Sequence, residues 1–338
     1  MELQKDYSLK KLNTFGIDVK ASFFTAFTSV TELVQLLGDS SPALKSKLIL
    51  GGGSNILFTK NFEGLVMQNK IKGKEIIWEN EKEALVKSGA GEIWHDLVLF
   101  AIEKNLGGIE NLSLIPGTVG AAPIQNIGAY GVEIKDTFES LEAVEITSGK
   151  SRTFSLTECG FGYRDSVFKR QLKGAYVITS ATFRLSKHPK FNTSYGAITS
   201  TIEEMGAKEL SIKTISDAVC YIRRSKLPDP AVIGNAGSFF KNPEIPETQF
   251  TELKVKYPDI PSYKTVPGMV KVPAGWLNEQ CGWKGKVVGN TGVHKNQALV
   301  LVNHGGANGE EVKNLAHAIQ KSVKEKFGIT LETEVNII

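Results

Sequence analysis

The chain has 338 residues, of which 41% are hydrophobic and 22% are charged, and its formal net charge is +4. This composition predicts a globular protein with a sizeable core in two or three domains, and it excludes a disordered chain. The weak, dispersed positive charge argues against a nucleic-acid partner and suits a small anionic substrate.

Three widely separated cysteines and five scattered histidines show no metal-ligand spacing, so we predict no structural metal and a reducing compartment. The polar N-terminal residues predict no signal peptide, and no apolar run approaches the ~18 residues of a membrane span. We expect a cytoplasmic protein without a membrane partner. The sequence leaves the oligomeric state open, with a monomer as the expectation.

The first half of the chain predicts a helix-containing, strand-rich region. Ser29–Glu32 is a capping-box pattern, which predicts a short helix that ends at Gly38. Buried strands are predicted at Lys47–Leu50 and from Ile56 onward, on either side of the turn Gly51–Asn55. Further predicted elements are strands at 64–67, 75–78, 84–86, 141–146, 152–154 and 176–185, and a helix at 91–105.

The charged, proline-containing segment 187–190 predicts a domain boundary. Beyond it, a second capping-box pattern at Ser200–Glu203 predicts the start of a helix over 200–209. Other predicted elements are helices at 215–224 and 310–327, a proline-rich loop at 244–265, and strands at 298–302 and 331–338.

The segment Ile115–Gly131 contains four glycines, three alanines and two prolines in seventeen residues, with neither helical nor strand periodicity. It carries apolar anchors and no charge, so we predict that it is buried and ordered rather than a linker. Small residues let a backbone approach a flat or phosphorylated group. We therefore expect a cofactor to lie against this segment.

The turn Gly51–Asn55 follows a predicted strand, as a phosphate-binding turn does. It lacks the Gly-x-Gly-x-x-Gly fingerprint, because Ile56 occupies the third glycine position, and it has no Gly-Lys-Ser/Thr. Either an anion-binding nest of backbone N–H groups or a flexible turn between strands agrees with the pattern.

Three further patterns are ambiguous when taken alone. Arg164, within Gly160–Ser166, agrees with either a site cation or a surface ion pair with Asp165. Ser238, within Gly234–Pro243, is either an exposed reactive hydroxyl or a structural turn serine, and no nucleophile elbow surrounds it. Glu332 and Glu334 point to the same face of a predicted strand. This face belongs either to a functional site or to a solvated edge.

Together these patterns, in this order and over essentially the whole chain, resemble the family of UDP-N-acetylenolpyruvoylglucosamine reductases, flavoenzymes of peptidoglycan precursor synthesis. The residues that carry the resemblance are Asn13–Gly16, Leu50–Asn55, Ile115–Asn126, Gly162–Ser166, Gly234–Pro243, Ala274–Leu277 and Leu331–Val335. Tyr195-Gly196 and Lys226–Pro230 resemble the subclass with an extra tyrosine-bearing loop.

The resemblance implies an α+β fold: a two-lobed FAD-binding domain of the vanillyl-alcohol-oxidase (PCMH) type at 1–190, with lobes of roughly 1–62 and 63–190, and an α+β substrate domain at 191–338. It implies noncovalent FAD and NADPH as cosubstrate. The implied FAD-binding residues are Gly51, Gly52, Gly53, Ser54, Asn55, Ile115, Pro116, Gly117, Thr118, Gly120, Ala121, Gln125, Asn126 and Gly128.

The resemblance also implies catalytic roles. Arg164 would stabilise negative charge on the substrate, Ser238 would donate a proton, and Glu334 would orient the substrate carboxylate, protonated or bridged to avoid repulsion. The residues implied to hold the UDP-sugar are Tyr130, Tyr195, Lys226, Asn242 and Gln297.

Two alternatives were weighed against this function. A related sugar or alcohol oxidase often attaches FAD through a histidine or cysteine, and neither Gly51–Asn55 nor Ile115–Gly131 contains a histidine. A UDP-sugar-binding protein without chemistry is expected to lack Arg164, Ser238 or Glu334, and all three are present.

Overall fold

The computed structural model describes residues 2–39 and 46–338, which belong to two compact units. The first unit comprises the residues up to Tyr7, Ala21–Gly52 and Glu63–Ser225, and the second comprises Ser8–Lys20, Gly53–Phe62 and Lys226–Ile338. Compared with the predicted domains, residues 191–225 belong to the first unit, and the early segments Ser8–Lys20 and Gly53–Phe62 belong to the second. The functional domains at 1–190 and 191–338 stay a prediction.

The secondary structure mixes helices and strands throughout the described residues. In chain order the strands are β1 (Gln4–Ser8), β2 (Lys20–Phe27), β3 (Lys47–Leu50), β4 (Ile56–Leu57), β5 (Phe62–Asn69), β6 (Lys74–Glu79), β7 (Glu83–Gly89), β8 (Gly128–Ala129), β9 (Val132–Glu133), β10 (Phe138–Glu145), β11 (Ser151–Ser155), β12 (Tyr176–Ser186), β13 (Gly234–Ser238), β14 (Glu244–Pro246), β15 (Tyr263–Lys264), β16 (Met269–Lys271), β17 (Val287–Val288), β18 (Thr291–Val293), β19 (Val300–Asn303) and β20 (Asn336–Ile337). The α-helices are α1 (Val30–Gly38), α2 (Trp94–Glu103), α3 (Leu156–Cys159), α4 (Ile198–Glu204), α5 (Ile212–Lys226), α6 (Glu247–Lys256), α7 (Ala274–Gln280) and α8 (Gly309–Phe327). No helix among the described residues is long and apolar enough to cross a membrane.

Each unit has its own sheets. In the first unit, one sheet has the order β1-β2-β5-β3, with β3 and β5 parallel, and an antiparallel sheet has the order β11-β10-β12-β7-β6. In the second unit, one sheet has the order β13-β19-β18-β17 and another has the order β14-β16-β15, while β4 and β20 pair in parallel. The strands predicted for residues 47–186 are confirmed.

The cap predicted for α1 is confirmed, and caps at both ends of α8 explain where that helix begins and ends. The Ser29 hydroxyl accepts a hydrogen bond of 3.2 Å from the backbone N–H of Glu32, whose carboxylate accepts one from the N–H of Thr28. At α8, Asn308 caps the first turn, and Gly328, with φ of +69°, ends the helix in the left-handed conformation.

Two predictions for the second half are wrong. The segment 244–265 is not a loop, because it contains β14, α6 and β15. Its prolines bound the helix instead of breaking it: Pro246 directly precedes α6, where a missing N–H costs no helical hydrogen bond. The helix α4 begins at Ile198, so Ser200 lies inside it and donates its hydroxyl to Ala197 instead of capping.

The predicted strand at 331–338 is shorter than expected. Only Asn336–Ile337 forms a strand, and Thr333 adds one isolated bridge to Phe240. The segment Ile115–Gly131 lacks a long helix, as predicted, and forms two short 3-10 turns and β8. The predicted burial is wrong for most of it, because only six of its seventeen residues are buried. Val119, Ala122 and Ile127 anchor it in the core that also buries Trp94.

Candidate functional site

The two glycine-rich segments meet in the first unit. An added Cβ atom at Gly51 would lie 2.4 Å from Oγ1 of Thr118, and one at Gly52 would lie 3.3 Å from the Cα of Gly117. The end of β3 therefore packs backbone against backbone on the segment Ile115–Gly131. Side chains at Gly51 and Gly52 would separate the two predicted cofactor-binding segments.

The turn after β3 leaves backbone donors available. Among residues 2–39 and 46–338, no acceptor bonds the N–H groups of Gly52, Gly53 or Ser54. Gly53 has φ of +63° and fits against the carbonyl of Leu12, and its own carbonyl accepts the N–H of Thr14 at 3.1 Å. A strand, β4, follows the turn, which agrees with a nest and excludes a Rossmann-type helix.

Part of the small-residue content of Ile115–Gly131 serves the packing of the chain on itself. The N–H of Gly120 donates to Ala90 at 2.9 Å, and a Cβ atom at Gly120 would lie 2.5 Å from the Cβ of Ala90. The N–H of Val119 donates to the carbonyl of Glu92. Gly120 is thus needed by the fold whether or not a ligand is bound.

The remaining predicted cofactor residues differ in exposure. Thr118 and Asn126 are buried. The residues with exposed or partly exposed surface are Gly51, Gly52, Ser54, Asn55, Ile115, Pro116, Gly117, Gly120, Ala121, Gln125 and Gly128. Just before the segment, Nδ1 of His95 accepts the N–H of Leu114 at 3.0 Å, and burial lowers the pKa of this imidazole.

Arg164 sits at the tip of a tight turn in the first unit. The backbones of Gly162 and Asp165 exchange hydrogen bonds of 3.0 and 3.3 Å, and Arg164 has φ of +52°. Its guanidinium donates to the carbonyl oxygen of Gly128, at the end of the predicted cofactor-binding segment. Asp165, the partner considered for a surface ion pair, lies 2.9 Å from Nε of Arg170.

Tyr130 and Tyr195 are brought together in the same unit. A Cβ atom at Gly131 would lie 3.2 Å from the Cβ of Tyr195, and the side-chain amide of Asn111 binds the carbonyl of Tyr130 at 3.1 Å. Burial raises the pKa of the Tyr130 phenol, and a hydrogen bond from Arg223 opposes this shift. The Nε atom of Arg223 is buried without a hydrogen-bond partner among the described residues.

Ser238 and Glu334 are neighbours in the second unit. The backbone N–H of Glu334 donates to the carbonyl of Phe239 at 2.8 Å. A bulge in β13 precedes Ser238: Gly237 has φ of +70°, and its N–H binds the side chain of the buried Asn235 at 3.0 Å. A bulge re-aims the following side chain. No described residue hydrogen-bonds the hydroxyl of Ser238, so this hydroxyl is available to a ligand.

Asn242 and Gln297 flank the first turn of α7. The side-chain oxygen of Asn242 accepts the N–H of Ala274 at 3.0 Å, and that of Gln297 lies 3.3 Å from where a Cβ atom of Gly275 would be. The motif Ala274–Leu277 thus holds two predicted substrate residues. The third in this unit, Lys226, is the exposed last residue of α5.

Comparison with known proteins agrees with these motifs. Residues 229–338 match the family model of the UDP-N-acetylenolpyruvoylglucosamine reductase C-terminal domain, and residues 21–155 match an FAD binding domain. The chain is 55% identical to the UDP-N-acetylenolpyruvoylglucosamine reductase of Amoebophilus asiaticus over 338 residues, covering 100% of both chains, and 51% identical to that of Flavobacterium johnsoniae over 339 residues, again covering 100% of both.

The chain belongs to the UDP-N-acetylenolpyruvoylglucosamine reductase family. It is an FAD-dependent oxidoreductase with the predicted α+β fold. The crystal structure of the family member from Thermus caldophilus shares this fold, with a TM-score of 0.69 at 24% identity, and the match covers 99% of this chain and 98% of that one.

The geometry fits FAD, whose diphosphate needs close backbone approach and N–H donors. The uncharged turn Gly52–Ser54 supplies unpaired N–H groups, and Gly51 and Gly52 bring it against Gly117 and Thr118. Of the described residues, no group of three or more His, Cys, Asp or Glu side chains could hold a metal ion.

Several residues that shape the site were not identified from the sequence. Asn111 and Arg223 contact Tyr130, and Glu133 lies beside Arg164. Asn235 shapes the bulge before Ser238. No local pattern marks the first three, because each acts through a contact distant in sequence. Asn235 lies within the recognised motif Gly234–Pro243, which was the available signal.

Proposed function

We propose that this chain catalyses the NADPH-dependent reduction of UDP-N-acetyl-3-O-(1-carboxyvinyl)-glucosamine to UDP-N-acetylmuramate, a cytoplasmic step of peptidoglycan precursor synthesis. The observation that carries the proposal is the pairing of the Ser238 segment with the Glu334 segment in a member of this family. This pairing joins the backbone of Glu334 to that of Phe239, the residue directly after Ser238.

The substrate is an enol ether conjugated to a carboxylate. FAD, which the turn Gly51–Asn55 and the segment Ile115–Asn126 would hold, would supply the hydride that adds to the terminal methylene carbon, with NADPH as the source of that hydride. Negative charge then develops on the neighbouring carbon and the carboxylate, and Arg164 stabilises it, because a guanidinium is a permanent cation with forked donors.

The adjacent carbon must next receive a proton, and Ser238 donates it. A hydroxyl is a weak acid in water, so its position decides its efficiency, and proton transfer from a placed group contributes about 10²–10⁴ in rate. Glu334 orients the substrate carboxylate. Its backbone is fixed to Phe239 and to Asn55, whose side-chain amide donates to the carbonyl of Glu334 at 3.2 Å.

Binding of the UDP-sugar is assigned to five residues. Lys226, Tyr195 and Tyr130 suit the diphosphate and the sugar through charge and phenol hydroxyl groups. Asn242 and Gln297 already share the start of α7, where their amides remain partly exposed. The domain assignment of 1–190 to FAD and 191–338 to substrate belongs to the same proposal.

Anaerobic incubation of the FAD-loaded protein with NADPH and the enolpyruvyl substrate tests the function. The expected product is two hydrogens heavier than the substrate by mass spectrometry, and its formation matches NADPH consumption one to one. Consumption of NADPH without that product would reject the proposal.

A further inference from the structure

The segment between Asn126 and Lys135 forms a support beneath Arg164 that neither the sequence patterns nor the proposed function assigns. Arg164 itself has little conformational freedom in its backbone. It occupies the left-handed region, with φ of +52°, inside the turn closed by Gly162 and Asp165. A non-glycine residue held there is strained and persists only where its surroundings fix it.

The guanidinium of Arg164 contacts Gly128 and Glu133 of this support. It donates to the carbonyl oxygen of Gly128, and its Nη1 lies 3.8 Å from Oε1 of Glu133. The side chains of Arg164 and Glu133 are 18% and 21% exposed, so this ion pair is far less screened than a surface pair. At 3.8 Å it is longer than a hydrogen bond, so Glu133 attracts the guanidinium without occupying that N–H donor.

Gly128 must lack a side chain for this arrangement. A Cβ atom there would lie 2.8 Å from Cγ of Glu133 and 3.0 Å from Nη1 of Arg164. Gly128 is also a predicted cofactor-binding residue. Its missing side chain leaves the space that Glu133 and Arg164 need to approach each other.

Glu133 is itself held by groups other than Arg164. Its Oε2 accepts a hydrogen bond of 3.0 Å from the side-chain amide of Asn126 and lies 2.8 Å from Nζ of Lys135. Hydrogen bonding to Glu133 raises the pKa of Lys135. Oε2 thus faces Asn126 and Lys135, while Oε1 lies 3.8 Å from Nη1 of Arg164.

Asn126 connects Glu133 to the turn that carries Arg164. It is fully buried with φ of 44°, and the same amide nitrogen donates to the carbonyl of Gly162 at 2.9 Å, while its oxygen accepts the N–H of Lys135 at 3.2 Å. One side chain thus fixes both the base of the Arg164 turn and the carboxylate opposite its tip.

We propose that Glu133 is a positioning residue that presets the guanidinium of Arg164, with Asn126 holding Glu133 in place. This inference rests on the proposed function, because it assigns Glu133 to the step in which Arg164 meets developing negative charge. Misplacement of such a group by about 1 Å can reduce a rate by about 10²-fold. The carboxylate contacts neither substrate nor cofactor in this role.

The test compares Glu133→Ala, Glu133→Gln and the control Glu139→Gln as FAD-loaded proteins. Glu139 pairs with Arg184 at 2.9 Å on the β10–β12 sheet of the same unit, so the control removes an equivalent arginine partner elsewhere. In anaerobic stopped-flow, Glu133→Ala should reoxidise its reduced flavin with saturating substrate about 10–100-fold more slowly. Flavin reduction by NADPH should change less than about twofold, since Arg164 has no part in it.

Glu133→Gln should recover part of the lost rate, because the amide keeps the shape of the side chain, while its single carbonyl oxygen can face Asn126 or Arg164 but not both. Glu139→Gln should match the wild type in both half-reactions. Equal slowing of both half-reactions by Glu133→Ala, or an unchanged rate of reoxidation, would overturn the positioning role. So would a glutamine variant as slow as the alanine variant.

A second readout does not depend on turnover. Nitrogen-15 NMR of arginine side chains, with the Arg164 signal assigned by Arg164→Lys, should show hindered guanidinium rotation in wild type and free rotation in Glu133→Ala. Free rotation in both proteins would contradict the inference. If instead the rotation is hindered but wild-type reduced flavin does not react with the enolpyruvyl substrate, the proposed function fails and the positioning of Arg164 stands.

Discussion

The backbone N–H of Glu334 lies 2.8 Å from the carbonyl oxygen of Phe239, so two residues that are 95 positions apart form one hydrogen bond directly beside Ser238. The C-terminal segment is thereby fixed beside the end of β13, which carries Ser238. The parallel pairing of β20 with β4 holds the same segment on its other side.

Replacement of Ser238 by alanine should separate the two half-reactions. Removal of the proton donor should slow substrate reduction by about 10²–10⁴, whereas NADPH should still reduce the flavin at nearly the wild-type rate. Single-turnover absorbance of the flavin measures both steps. Equal losses in the two steps would argue that Ser238 supports the fold or cofactor binding instead.

Replacement of Gly51 by alanine should disturb the contact between the two cofactor-binding segments. The new Cβ would meet Oγ1 of Thr118 at 2.4 Å, and overpacking of this kind costs about 1–3 kcal/mol. We expect a lower free energy of unfolding in urea and weaker retention of FAD in dialysis.

The double variant Gly51→Ala/Thr118→Ala should recover much of this loss, since it removes the atom that clashes. With Thr118→Ala alone, it completes a double-mutant cycle. Gly38→Ala is the matched control: no atom of residues 2–39 or 46–338 lies within 4 Å of its added Cβ, and alanine favours a helix relative to glycine. Additive effects of the two substitutions would contradict the close contact.

Acid should weaken the anchor between His95 and Leu114. Burial holds the pKa of the imidazole below its ordinary value of 6.5, so neutral His95 contributes stability that is present above about that pH. This contribution is lost as the pH falls through the lower pKa of the folded state, because protonated Nδ1 cannot accept the N–H of Leu114.

The variant His95→Asn keeps an acceptor and does not titrate. Between pH 7 and 5, its midpoint of thermal unfolding should fall less than that of the wild type, by differential scanning fluorimetry. Equal pH dependence in the two proteins would show that His95 contributes none of it.

The purified protein should be yellow and should release its FAD on acid denaturation. The segments Gly51–Asn55 and Ile115–Gly131 contain no histidine for covalent attachment. Flavin absorbance, measured separately in the supernatant and in the redissolved precipitate, shows whether the FAD is released or stays attached to the chain. Flavin that stays with the precipitated chain would favour the oxidase alternative.

Local sequence signals were sufficient where a structure depends on neighbouring residues. The cap at Ser29 and the alternating strands each depend on residues within a few positions, and both are confirmed. The helix α6 was missed because Phe250 and Leu253 are its only buried residues and flanking prolines suggested a loop. The helix start predicted at Ser200 is wrong because a capping-box pattern can also occur inside a helix, as it does in α4.

Long-range partners were beyond the sequence. Family resemblance singled out Arg164, but nothing near it in the chain indicates that Glu133 faces its guanidinium. Similarly, the small residues of Ile115–Gly131 indicated close backbone approach, yet sequence could not show that Gly120 approaches Ala90 and that Gly51 approaches Thr118. Such contacts depend on how distant segments pack.

The central claim is tested most directly by double-mixing, anaerobic stopped-flow absorbance of the flavin. NADPH should bleach the oxidised flavin band, and subsequent addition of the enolpyruvyl substrate should restore it while UDP-N-acetylmuramate forms. A flavin that NADPH reduces but that the enolpyruvyl substrate leaves bleached would contradict the proposed reaction.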